Sequence, residues 1–396
     1  MNATMVTESP AVVEVNPAVL KAARANAHLG ASQAVAILNK LLGRFKQPLV
    51  DEARLLSWER GSAPTLEEAE ALARTYLLPF AALFQDEFRQ PQLTDFRMGP
   101  QGQRYSLSYE TMVALDRFSR FYLAAKAITS ALGMSEDARV LSGNPAAIRD
   151  QQDVEEFASA TRGHLGVSDE HQTSWRTDEA ALAGWQEAVE ASGVFVFAYP
   201  LPVSELRGAS RWELAGPPAI LLNNVDVVPA RIFTIIHEYA HLAFSPEHDH
   251  TILCDPSSSG GQHEERVANR IAAAVLVPRS ILLESVPTSI PSLDYRLWPD
   301  RDKRRLRKAT NASQAVIGIR LKDLGIVEDA GISKSFWRSQ TPMRGRKRAT
   351  AVRYRDYLGK RTLLYARRAL DADLLSVGQL CRALGLKADD VLKLLS

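Results

Sequence analysis

Ile235-Ile236-His237-Glu238-Tyr239-Ala240-His241-Leu242 places a His-Glu-x-x-His pattern within an apolar segment of the chain. Two histidines four residues apart lie on the same face of a helix, so both imidazoles can reach one metal ion. Glu238 follows the first histidine directly and projects beside the open coordination position, where a carboxylate can take a proton from bound water. Pro229 and Pro246 fit the beginning and the end of such a helix.

A third metal ligand is expected from the next helical segment, which begins near Glu265. Apart from two polar residues, one face of this segment is small: Glu265, Ala268, Asn269 and Ala272. A small face lets the two helices approach closely, and two histidines with one carboxylate leave a fourth position for water, as in catalytic sites. The alternative is a chance match of two core histidines. The sequence therefore predicts a metal site of His237, His241 and Glu265, with Glu238 as catalytic base.

The segment between these two helices, residues 245–263, is rich in Pro, Ser, Gly and His and is predicted to be a loop across the mouth of the site. Its histidines, His248, His250 and His263, are expected to be solvated, with metal coordination as the alternative. Cys254 is expected to be a half-buried structural cysteine. The alternative is a thiolate in the fourth metal position.

Composition points to a globular cytoplasmic protein. The 396 residues are enough for two or three domains, and the hydrophobic (46%) and charged (24%) fractions are ordinary for this class. No apolar segment is long enough to span a bilayer, and Met1–Val15 lacks the features of an export signal. The two cysteines, Cys254 and Cys381, exclude a disulfide framework and fit a reducing compartment. A membrane partner is not expected.

The chain divides into three predicted domains. Residues 1–90 form a helical domain after a loose tail over residues 1–15, residues 91–285 carry the metal site, and residues 286–396 form a basic, mostly helical domain. Strands are predicted at residues 193–197 and 219–223, with a turn or a further short strand near Gly208. The predicted fold class is therefore α+β.

The N-terminal domain has features of a DNA-binding fold. Thr65 and Glu68 form the pattern of a helix-capping box, and Trp58-Glu59-Arg60-Gly61 with the following helix resembles the second half of XRE-type helix-turn-helix domains. The first half fits poorly, because Leu49–Arg54 carries two acidic residues where a recognition helix would contact base edges and phosphates. DNA binding and a helical module that does not bind DNA both remain open.

Basic residues are concentrated between Arg301 and Arg368. Those assigned to nucleic-acid binding are Lys303, Arg304, Arg305, Arg307, Arg344, Arg346, Lys347, Arg348 and Arg353. Residues 309–325 indicate a helix-turn-helix or winged-helix element in which Ser313-Gln314 opens the second helix. A basic stripe with exposed aromatics (Trp337, Tyr354, Tyr357) favours binding of nucleic acid. A solvated charged face or a protein-binding patch is the alternative, and residues 374–395 could pack internally or form a homodimer.

The combination resembles the ImmA/IrrE family of metallo-endopeptidases, in particular members with an N-terminal XRE-like domain. The residues that carry the resemblance are Ala219–Asn223, Phe233–Leu242, Cys254-Asp255 and Glu265-x-x-Ala268-Asn269 up to Pro278, with support from Asp95-Phe96-Arg97 and Gly193–Phe197. The likeness covers most of the chain. Two features depart from the family pattern: the helix-turn-helix precedes the peptidase, and the C-terminal region is unusually basic.

The resemblance implies a zincin-like minimal metalloprotease fold, a small sheet plus the helix of the His-Glu-x-x-His motif. It implies that His237, His241 and Glu265 hold the metal and that Glu238 is the general base. Zinc is the default ion, and manganese is used by some relatives. Tyr239, His263 and Arg266 are unranked candidates for a donor to the oxyanion.

The resemblance also implies a biological role. Characterised relatives are cytoplasmic switches that cleave an XRE-type repressor after DNA damage, and single-stranded DNA is a proposed activator. The two departures leave open whether the target is a separate repressor, the protein itself or none. The alternatives are a non-proteolytic DNA-binding transcription regulator with a sensory or structural metal, and a protein that only sequesters its partner.

Overall fold

The computed structural model describes residues 11–43, 47–89, 107–134, 140–213, 216–244, 250–254, 263–331 and 350–396, with the backbone alone for residues 250–254 and 350–351. These residues form two compact units. The first contains the described residues up to 89 together with residues 107–116, and the second contains those from 117 onwards. Among the described helices, none combines the length and apolar character needed to cross a membrane.

The first unit is helical. Its elements are α1 (Pro17–Asn26), α2 (Ala31–Leu42), α3 (Glu52–Trp58), α4 (Leu66–Thr75) and a 3₁₀ helix (Phe80–Phe84). The predicted capping box is confirmed: Thr65 Oγ1 accepts from Glu68 N (3.2 Å), and Glu68 Oε2 accepts from Thr65 N (2.8 Å). Trp58 and Leu72 are buried in the core of this unit. The cap satisfies two backbone donors that would otherwise be unpaired at the start of α4.

One detail of the first unit differs from the sequence-based expectation, and another explains an unexpected acidic residue. Residues 11–15 are not a loose tail, since Val12 forms a β-bridge with Thr65 and Val13 N donates to Pro64 O (2.9 Å). Asp51, one of the two acidic residues at the doubtful recognition position, caps α3 by accepting from Arg54 N (2.8 Å). That carboxylate therefore has a structural use. DNA binding by this unit stays a prediction.

The second unit combines helices with one small sheet, which confirms the α+β class. Its helices are α5 (Tyr109–Ala131, which begins in the first unit), α6 (Gln151–His164), α7 (Asp169–Ser174), α8 (Asp178–Ala191), α9 (Val228–Phe244), α10 (His263–Leu276), α11 (Arg279–Ser285), α12 (Asp300–Thr310), α13 (Gln314–Asp323), α14 (Thr350–Asp371), α15 (Val377–Leu384) and α16 (Ala388–Leu395). Short 3₁₀ helices lie at Pro145–Ala147 and Tyr295–Leu297.

The sheet contains β1 (Phe195–Tyr199), β2 (Gly208–Trp212), β3 (Ala219–Asn223) and β4 (His250–Cys254), in the order β1-β3-β2-β4. β1 is parallel to β3, and β2 is antiparallel to both β3 and β4. The two predicted strands are confirmed as β1 and β3, and the Gly208 region is a strand. The predicted loop over residues 245–263 is partly wrong, because it contains β4.

Helix α9 occupies the centre of this unit and is buried along most of its length. Its residues Ile235, Ile236 and Ala240 belong to one hydrophobic cluster that also includes Ile220 of β3 and Ala268 of α10. β3 is linked to α9 by a four-residue connection, so α9 folds back across the sheet. This packing fixes the helix of the His-Glu-x-x-His motif against β2 and α10.

The C-terminal segment packs within the same unit. α14 lies against β1 and contains a kink at Gly359, whose φ of 70° lies in the left-handed region. A Cβ atom at this position would lie 2.3 Å from the carbonyl oxygen of Val196. Only glycine therefore allows both the kink and the close approach to β1.

Candidate metal centre

Helix α9 brings the two motif histidines together as predicted. His237 and His241 are both buried, and their Nε2 atoms are 3.1 Å apart. One helical turn separates them, so the backbone itself sets the spacing. Phe233, one turn before His237, stacks on its ring with centroids 5.9 Å apart and an interplanar angle of 28°. Two imidazole nitrogens thus face one point within the protein.

Helix α10 supplies the predicted carboxylate. Glu265 Oε1 lies 3.3 Å from His237 Nε2, and Glu265 Oε2 lies 3.1 Å from His241 Nε2. The small residues Ala268 and Ala272 are buried on α10, as expected for a helix that packs closely on α9. Among the residues that the structure describes, His237, His241 and Glu265 form a group that could hold a metal ion, with ligand atoms within 4.8 Å of one another.

The distances between the three candidate ligand atoms fit a metal ion. Ligand atoms about 2.0 to 2.1 Å from a tetrahedral zinc ion would lie roughly 3.3 to 3.4 Å from each other. The three distances between the ligand atoms, from 3.1 to 3.3 Å, are close to this range. Three lone-pair donors converging in a buried place need a cation or shared protons between them, because their like partial charges repel. The donor set of two imidazoles and one carboxylate is one that zinc accepts.

The same convergence shifts the pKa of His241 and of Glu265. Burial alone would lower the pKa of His241, but the hydrogen bonds to Glu264 and Glu265 outweigh it and raise the pKa to about 10. Burial opposes ionisation of Glu265, yet its contacts with His237 and His241 lower the pKa of this carboxyl well below its ordinary value. In the absence of a metal ion, these shifts favour a protonated, positively charged His241 beside an ionised Glu265.

Glu238 lies beside the histidines and is fully buried, with 0% of its surface exposed. Gly208 of β2 makes room for its carboxylate. A Cβ atom at Gly208 would lie 2.7 Å from Glu238 Oε1 and 2.4 Å from Thr234 Cγ2. The role of Gly208 was missed from the sequence, because it depends on β2 meeting α9 in space and no local pattern signals that contact.

The other residues considered for the site are placed as follows. Tyr239 is buried, and its hydroxyl accepts a hydrogen bond from Leu141 N (3.2 Å). The His263 ring nitrogen Nε2 lies 3.0 Å from Pro145 O, and Arg266 is exposed on α10. His248 lies outside the described residues, and so do the side chains of His250 and Cys254 in β4. Glu264, whose Oε1 lies 3.4 Å from His241 Nδ1, was missed.

Of the nine basic residues predicted to bind nucleic acid, five belong to the part of the chain that the structure describes. Four lie outside the described residues: Arg344, Arg346, Lys347 and Arg348. Arg304 and Arg353 are exposed, on α12 and α14 respectively. Arg305 is also exposed, and its side chain donates to Glu284 O (3.1 Å). Lys303 Nζ donates to Arg296 O (2.7 Å), and Arg307 pairs with Asp178.

The aromatics of this region differ from expectation. Tyr354 and Tyr357 are half-buried instead of exposed. The ring of Tyr354 contacts Phe121 (centroids 6.1 Å apart), and that of Tyr357 contacts Tyr199 (5.0 Å). These tyrosines anchor α14 to the second unit, which explains their spacing without base stacking. Trp337 lies outside the described residues.

Comparison with known proteins places this site in a recognised domain. Residues 189–322 match the family described as IrrE N-terminal-like domain (Peptidase_M78). The matched segment runs from the end of α8 into α13 and contains both helices of the candidate site. No curated protein and no solved structure matched the chain. The match confirms the resemblance to the ImmA/IrrE family over these residues and indicates a metallopeptidase-like domain.

Proposed function

We propose that the second unit is a metal-dependent endopeptidase of the zincin type, in which His237, His241 and Glu265 hold one ion. The observation that carries this proposal is the convergence of three donors at tetrahedral spacing next to a buried carboxylate, Glu238. A purely structural metal site has no use for that carboxylate. The IrrE N-terminal-like match supports the same function.

Zinc suits the donor set, with manganese as the alternative used by some relatives of the family that the chain resembles. When bound, such an ion polarises the scissile carbonyl and lowers the pKa of water towards ~7. Glu238 then takes the proton from the attacking water and passes it to the nitrogen of the leaving amine. Because Gly208 of β2 packs against the Glu238 side chain on α9, the carboxylate stays in a fixed place during both proton transfers.

The biological role that we propose rests on the resemblance. The protein would cleave an XRE-type transcriptional repressor in the cytoplasm as part of a response to stress or DNA damage. DNA, in particular single-stranded DNA, would act as the activator. The sequence departures noted above make the identity of the repressor the main point to establish by experiment.

The test compares the unmodified protein with Glu238→Gln in cleavage of a candidate repressor, with and without single-stranded DNA and with and without chelator. Loss of the general base should lower the cleavage rate by about 10²- to 10⁴-fold. Metal content should stay the same, because Glu238 is not among the three proposed ligands. Glu187→Gln, which changes an exposed glutamate (70% side-chain exposure), is the matched control. Full activity of Glu238→Gln would show that the role assignment is wrong.

A second candidate function is DNA binding without proteolysis, and α12 favours it. Arg301, Arg304 and Lys308 are exposed and fall on one face of this helix (i, i+3, i+7). Such a row can neutralise phosphates, so removing Arg304 and Lys308 together should weaken DNA binding and reduce its salt dependence. Lys360→Ala, on α14, is the control. A regulator that only binds would act equally well with Glu238→Gln.

A further inference from the structure

Both ring nitrogens of His241 face carboxylates from the first turn of α10. Nε2 lies 3.1 Å from Glu265 Oε2, and Nδ1 lies 3.4 Å from Glu264 Oε1. Consecutive helix residues point about 100° apart, so the two carboxylates reach opposite sides of one imidazole. The second distance is long for a hydrogen bond, but it joins a ring nitrogen to a charged acceptor.

His237 is held in a different way. Its Nδ1 is buried and has no hydrogen-bond partner among the residues that the structure describes. Its ring orientation comes from stacking on Phe233 and from edge-to-face contact with His241, with centroids 4.7 Å apart. The His237 ring is therefore oriented by packing, whereas the His241 ring also has a carboxylate next to its Nδ1 atom.

We propose that Glu264 is a positioning residue that acts through His241; this rests on the proposed metal site. Nδ1 of His241 carries the hydrogen and donates it to Glu264, so the lone pair of Nε2 points towards the ion. A carboxylate behind a metal-bound imidazole fixes its tautomer and ring orientation and makes the other nitrogen a stronger donor. Glu264 itself does not reach the ion in this arrangement.

A positioning role accounts for the two acidic residues that stand side by side at the start of α10. Carboxylates in the first turn of a helix are favoured by the helix dipole, which alone would account for either residue. The helix dipole does not explain why the Glu264 carboxylate faces Nδ1 of the buried His241. A positioning role does explain it. The side chain of Glu264 is 36% exposed, so its effect should depend on geometry more than on a large desolvated charge interaction.

The test measures zinc affinity of the full-length protein by competition with a chromogenic chelator. Glu264→Ala removes the acceptor and should weaken zinc binding by about 10- to 100-fold. Glu264→Gln keeps an acceptor oxygen without the charge, so its zinc affinity should lie between those of Glu264→Ala and the unmodified protein. Glu187→Ala, which removes an exposed carboxylate on α8, should bind zinc like the unmodified protein. The melting temperature of the metal-free protein is measured in parallel.

Each result has a definite meaning. Weaker zinc binding in the order Ala, Gln, unmodified protein, with little change in the metal-free melting temperature, supports the positioning role. Equal affinity in all variants overturns that role and leaves the metal site standing. If Glu264→Ala lowers the melting temperature of the metal-free protein, and zinc affinity is not partly restored in Glu264→Gln, the role of Glu264 is structural. That result also overturns the positioning role. Absence of zinc binding by the unmodified protein overturns the metal site together with the inference.

Discussion

At the residue scale, the surroundings of Glu238 support its proposed role as the base. The base lies against a strand that leaves no space for a side chain, because Gly208 faces both Thr234 and Glu238. The proposed metal ligands come from α9 and α10, whereas β2 packs against the proposed base. The positions of the ion and the base can therefore be disturbed separately.

Gly208→Ala tests this separation. The added methyl group would overlap Glu238 Oε1 and Thr234 Cγ2, so we expect the carboxylate to move by about 1 Å and the cleavage rate to fall about 100-fold. Overpacking should also cost about 1–3 kcal/mol of stability. Zinc affinity, measured by chelator competition, should change little. Gly163→Ala, where a Cβ atom would meet no neighbour within 4 Å, is the control. Unchanged cleavage by Gly208→Ala would contradict the account of the base.

Single residues were predictable where helical spacing or the face of a single helix determines them. The pairing of His237 with His241 follows from helical spacing, and Glu265 followed from the small face of the next helix. Gly208 and Glu264 were not predictable, since their contacts with Glu238 and His241 depend on β2 and α10 meeting α9 in three dimensions. The expectation of exposed tyrosines failed for the same reason, because α14 packs on β1.

At the scale of elements, the junction between α8 and α14 contains a buried titratable group. Glu190 Oε1 accepts a hydrogen bond from Arg361 N (3.2 Å), just after the kink at Gly359. Burial raises the pKa of Glu190 to about 7, against the opposing effects of the Arg361 N–H and the positive charges of Lys360 and Arg361. The folded protein therefore holds a proton at a pH where the unfolded chain releases it.

This predicts the sign of one contribution to pH-dependent stability. The ordinary pKa of a glutamate is 4.5, so the contribution of Glu190 is fully present below that pH and is lost as the pH rises through about 7. The loss amounts to ~3 kcal/mol at most. Glu190→Gln should gain stability relative to the unmodified protein between pH 4.5 and 8, measured by urea unfolding. Glu179→Gln, which changes an exposed glutamate on the same helix, should not. Parallel profiles for Glu190→Gln and the unmodified protein would contradict the prediction.

The elements themselves were predictable where one pattern dominates. The continuous apolar runs gave β1 and β3, and the capping box at Thr65 gave the start of α4. β4 was missed, because the Pro, Ser, Gly and His around it indicate a loop and its pairing with β2 is long-range. A kink such as that of α14 at Gly359 also depends on a tertiary contact.

At the scale of the whole molecule, the proposed ion would join two helices that are distant in sequence. His237 and His241 lie on α9 and Glu265 on α10, so a metal ion links them only in the folded state. Binding to the folded form alone stabilises it by RT ln(1 + [L]/Kd), or ~2.7 kcal/mol at a hundredfold excess over Kd. The division into three domains expected from the sequence stays a proposal, and the described residues fall into two compact units.

Metal removal should therefore lower the stability of the second unit. We expect chelator to decrease the melting temperature of the unmodified protein and of Glu238→Gln by similar amounts, because both retain the three ligands. Glu265→Ala should melt at the same temperature with and without chelator. A chelator effect that persists in Glu265→Ala would place the stabilising ion elsewhere.

The central claim is that one ion is held by two imidazoles of α9 and the carboxylate of Glu265. The most direct measurement is the zinc content per chain after dialysis against zinc and gel filtration, for the unmodified protein, Glu238→Gln and Glu265→Ala. The account predicts about one ion per chain in the first two and a large loss in the third. Equal zinc content in all three proteins, or none in the unmodified protein, would contradict it.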